Sequence, residues 1–92
     1  PDSIYAGYSL FWLGEIERQQ NQFEMAQNYF NKLLENYPQN DKVPDACYKM
    51  ALMAANQKDY EQMRTWLQRI LDDYPASSVA RLATLKLNAL TD

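Results

Sequence analysis

The chain has 92 residues, with 9 Lys and Arg against 12 Asp and Glu, a net charge of −3, one cysteine and no histidine. That length makes one small domain with little interior to spare. The basic residues are scattered singly, so no stripe exists to neutralise nucleic-acid phosphates, and no run of 18 apolar residues offers membrane insertion. Without histidine the usual general base, metal ligand and triad centre are missing. No calcium loop with its turn glycine appears either. No catalytic, cofactor-binding or metal-binding residue is expected.

A first helix is predicted from Ser3, a plausible N-cap, to about Gln20. Ala6, Leu10, Leu13, Gly14 and Glu17 recur at helical spacing and form its expected buried stripe. Gly14 costs roughly 1 kcal/mol against alanine in a helix interior, which points to close approach of a neighbouring helix. Asn21, with Glu24 three residues on, reads as a loose capping box for the next helix.

The second helix is predicted from about Phe23 to Asn36, with Phe23, Ala26, Phe30, Leu33, Leu34 and Tyr37 inward. Tyr37-Pro38 ends it, because the residue before a proline is pushed out of the α region. Val43, Cys47, Met50, Ala51 and Ala54 line a third helix, in which Pro44 fits only as a first-turn residue. Cys47, alone in the chain, reads as a small buried hydrophobe. Asp59 with Gln62 marks the start of a fourth helix, whose stripe is Tyr60, Met63, Leu67, Ile70, Leu71 and Tyr74 before Pro75. Ser77 or Ser78 opens a fifth helix to about Leu90, with Ala80, Thr84, Leu87 and Leu90 inward, read as a cap.

Three phrases punctuate this order: Pro1-Asp2-Ser3, Pro38-Gln39-Asn40 and Pro75-Ala76-Ser77, spaced by 37 residues each time (38 − 1 and 75 − 38). Phe23 corresponds to Tyr60, Tyr29 to Trp66, Phe30 to Leu67 and Leu34 to Leu71. A fixed period in the thirties without strand alternation means stacked helix pairs. Leu13-Gly14, Ala26-x3-Phe30 and Pro38 follow the tetratricopeptide pattern. Met50-Ala51, Met63-x3-Leu67 and Pro75 repeat it in a worn form. The usual tyrosine is replaced by Glu17 and Ala54, and the period of 34 is lengthened. The expected fold is all-α, a tetratricopeptide-like right-handed solenoid of two helix pairs plus a capping helix. It forms a single domain over 1–92, with repeats at about 3–37 and 40–74 and the cap at about 77–90.

At finer grain, Pro1-Asp2-Ser3-x-Tyr5, Trp12-Leu13-Gly14, Tyr29-Phe30, Asn36-Tyr37-Pro38, Pro44-Asp45-Ala46, Tyr74-Pro75 and Leu87-Asn88-Ala89-Leu90 carry a closer likeness. Over essentially all 92 residues, the chain resembles the C-terminal domain of the Tol-Pal-associated periplasmic cell division coordinators, the YbgF/CpoB family. The resemblance implies a periplasmic adaptor that binds TolA and regulates a peptidoglycan synthase during envelope constriction. That family also carries a signal peptide, a coiled coil and an earlier helix ending in Tyr-Pro. None is in this sequence, so the chain is expected to be a fragment.

Binding residues are sought on the first helix of each pair, which lines the concave side of such stacks. They are Tyr5, Tyr8, Phe11, Trp12, Glu15 and Gln19 on the first helix; Asp45, Tyr48, Lys49, Leu52 and Asn56 on the third; and Leu85 and Lys86 on the fifth. Phe11, Tyr48 and Leu85 are repeat equivalents that could equally stack on one another. Tyr5, Tyr8 and Trp12 share a face rich in the residue types favoured at protein interfaces. The same face could instead await an upstream helix, in which case the chain should self-associate. An outer-membrane assembly lipoprotein module, or a structural or oligomerisation segment of a longer solenoid, are the alternatives to the Tol-Pal reading.

Overall fold

A computed structural model of the chain describes residues 4–90. The opening Pro1-Asp2-Ser3 phrase, with Ser3 as the expected cap, lies outside them. Five α-helices and no strand occur among the described residues: α1 Ile4–Gln19, α2 Phe23–Asn36, α3 Val43–Asn56, α4 Tyr60–Asp73 and α5 Ala80–Leu90. The chain divides into two compact units, residues 1–46 and 47–92.

In the first unit α1 packs on α2. The contact is made by a glycine and a phenylalanine ring: a β-carbon on Gly14 would stand 2.6 Å from Cε1 of Phe30. Phe30 is fully buried beside Ala26 and Leu33, and Phe11 lies on it, ring centroids 5.9 Å apart. The buried residues of α1 are Gly7, Phe11, Gly14 and Glu15. This differs from the expected stripe, because Leu13 is exposed, and Ala6, Leu10 and Glu17 are half-buried. The physical reason is that α1 is apolar on more than one side, and α2 takes the side holding Gly14 and Phe11.

In the second unit α4 packs on α5, with Met63, Leu67 and Ile70 buried on α4 and Val79, Ala80 and Ala83 buried at the start of α5. Every expected inward residue of α3 is buried: Cys47, Met50, Ala51 and Ala54 in this unit and Val43 in the first. Tyr60 and Thr84, expected inside, are exposed. They sit at the edge of their stripes, where one turn of register decides burial.

The connections repeat as faithfully as the helices. Asn21 and Lys58, 37 residues apart, both have φ of 63°. The N–H of Gln22 bonds the carbonyl of Glu17 at 2.8 Å and that of Asn21 bonds Arg18 at 2.9 Å. Asp59 to Ala54 and Lys58 to Ala55 reproduce the pair at 2.8 and 2.9 Å. These are Schellman closures, with a left-handed residue just past each helix. Asn21 therefore ends α1 and does not cap α2, whose N-cap is Gln22 without a side-chain bond. Asp59 does cap α4, accepting from the Gln62 N–H at 3.1 Å.

Tyr37 and Tyr74 close α2 and α4 with N–H bonds to Leu33 and Ile70 at 2.9 and 2.8 Å, and each following proline prevents another turn. The next helix is opened by backbone carbonyls: Asn40 accepts from Val43 at 3.1 Å, and Ser77 from Ala80 at 3.2 Å. Asn40 adds its side chain, taking the Lys42 N–H at 2.9 Å. Ser77 does not; its hydroxyl is buried without a partner, so the expected serine cap is a backbone cap, and α5 begins at Ala80.

Candidate functional site: the open face of α1

Tyr5, Ser9, Trp12 and Ile16 recur at i, i+4, i+7 and i+11 along α1, which places them on one face. Leu13 lies beside them. Tyr5 is 75% exposed, Trp12 53%, Ile16 49% and Leu13 41%, with Ile4 at 50% at the helix start. Tyr5, Tyr8, Ser9, Trp12, Leu13 and Ile16 line a shallow open groove. A helix apolar on both sides is normally buried on both, yet α1 leaves this side to solvent.

The repeat shows what such a face does elsewhere. Ala6, Leu10, Leu13 and Ile16 correspond, 37 residues on, to Val43, Cys47, Met50 and Met53, all buried in α3. A further 37 residues on they correspond to Ala80, Thr84, Leu87 and Leu90 of α5. In α5, Ala80 is buried, and so is Ala83, the equivalent of Ser9. In α3 all four positions are packed over, whereas in α1 Leu13 and Ile16 stand exposed and in α5 Thr84 does.

Lys42 brings a charge to the rings at the face. The Lys42 ammonium stands 5.2 Å from the Phe11 ring centroid and 5.6 Å from that of Trp12, within range of a cation–π attraction. The Trp12 ring meets the Phe11 ring edge-on at 5.0 Å. Together these hold the indole over the buried ring. The Tyr8 hydroxyl donates to Asp41 at 3.4 Å; burial, with Asp41 adding to it, moves its pKa upward.

The structure separates the sequence-derived candidates. Tyr5 and Trp12 are exposed and Tyr8 half-buried on the shared face. Phe11 is 3% exposed and belongs to the interior. Glu15 is also buried. Its carboxylate takes Arg18 Nε at 2.8 Å and Nη2 at 2.7 Å, with Gln19 Nε2 at 2.9 Å. That bidentate arrangement ties down the end of α1, so Glu15 and Gln19 hold the helix together. Asp45, Tyr48, Lys49 and Leu52 are half-buried, while Asn56, Leu85 and Lys86 are exposed. Ile4, Ser9, Leu13 and Ile16 were not among the candidates. The signal for them was the repeat register, which marks Leu13 and Ile16 as packing positions.

Cys47 is fully buried, and burial pushes its thiol up to about 11, the setting of an inert cysteine. Among the described residues no group of three or more His, Cys, Asp or Glu could hold a metal ion, and no helix is long and apolar enough to cross a membrane.

Helix pairs repeated every 37 residues and closed by Tyr-Pro, the first of them holding Gly14 against the Phe30 ring, define a helical-repeat protein of the protein-interaction kind. The chain belongs to the tetratricopeptide repeat family, whose model matches residues 8–40 and 45–77. No curated protein and no solved structure matches it.

Proposed function

We propose that this chain is the partner-binding module of a periplasmic adaptor in the Tol-Pal system. In this reading it binds TolA and helps coordinate peptidoglycan synthesis with outer-membrane constriction during cell division. The observation that carries the binding role is the uncovered apolar face of α1, with Tyr5 and Trp12 standing out to solvent in a repeat family that serves protein interaction. Aromatic side chains of this kind bury large area on docking while keeping one polar handle. The Tol-Pal assignment is supported by the resemblance from Tyr5 and Trp12-Leu13-Gly14 through Asn36-Tyr37-Pro38 to Leu87-Asn88-Ala89-Leu90.

The test is capture of the chain from a periplasmic extract on immobilised TolA, alongside the Tyr8→Ala and Trp12→Ala variants. Retention of the parent chain and weaker retention of both variants is the expected result. Failure of the parent chain to bind removes the Tol-Pal role. Recovery of outer-membrane assembly components on the immobilised chain, in the absence of TolA binding, favours the lipoprotein module.

A further inference from the structure

We draw no further inference here: the strongest candidate, the apolar groove between Ile4 at the start of α1 and the connection over residues 36–41, opens at the first of the described residues, and nothing in the structure shows what covers it.

Discussion

The missing side chain of Gly14 is what lets Phe30 into the first unit: a β-carbon there would lie 2.6 Å from Cε1 and 2.8 Å from Cδ1 and Cζ of the ring. The ring is fully buried and has no room to withdraw in a close-packed interior. Gly14→Ala should therefore destabilise the protein by about 1–3 kcal/mol through overpacking, against roughly 1 kcal/mol gained in helix propensity. Urea unfolding read by circular dichroism measures the balance. A midpoint equal to or above that of the parent chain would show that the ring can move.

Gly7 is a different case. A β-carbon there would run into the side chain of Asn40, the flexible group that reaches the carbonyl of Ile4 at 3.4 Å. Gly7→Ala should cost less than Gly14→Ala, and Asn40→Ser should relieve part of that cost. The repeat carries this exchange itself, since the equivalents of Gly7 and Asn40 are Pro44 and Ser77. A double-mutant cycle should give a coupling of about 0.5 kcal/mol or more between the two substitutions. Strict additivity would separate them.

Lys58 and Asn21 hold the same left-handed conformation with unequal ease. Asparagine tolerates it, whereas lysine places its β-carbon against the backbone at a cost of about 1–2 kcal/mol. Lys58→Gly or Lys58→Asn should raise the unfolding midpoint, with a gain of about 1 kcal/mol for glycine. Asn21→Ala should lower it. An unchanged midpoint for both Lys58 variants would mean that the turn is unstrained.

Cys47 gives a pH signature with a definite sign. Its thiol is raised from 9.0 to about 11 by burial, so the folded protein favours the protonated form. The stabilisation is complete below pH 9 and is lost as pH rises through the folded value near 11. Unfolding free energy should fall over that window, and less steeply in Cys47→Ala. Burial raises Tyr8 and Tyr48 in the same direction, so part of the slope persists in the variant. Below pH 9, a thiol reagent should label the native chain far more slowly than the unfolded one. Equal labelling rates would contradict the burial.

Much of the architecture was legible in the repeat. Ala26, Phe30, Leu33, Cys47, Met50, Met63, Leu67 and Ile70 were all assigned inward and are buried, because α2, α3 and α4 each have one dominant apolar stripe. The phase of α1 was not legible. Leu10, Phe11, Trp12 and Leu13 are consecutive, so periodicity alone cannot choose among the faces, and the neighbour that decides is α2 with Phe30 against Gly14. Asn21 was misread because an asparagine just before a helix and one just after a helix look alike in sequence; only its φ of 63° distinguishes them. Glu15 looked like a charge for a partner because the bidentate bond from Arg18 depends on side-chain geometry. The open face of α1 was half visible: Tyr5, Tyr8 and Trp12 stood out as aromatic, while Leu13 had been assigned to the interior.

The binding role proposed for that face is tested most directly by titrating TolA with the parent chain and with Trp12→Ala. Loss of a central aromatic anchor should weaken binding by about tenfold or more while the unfolding midpoint stays unchanged. Equal affinity for the two proteins would contradict the assignment of this face to partner binding.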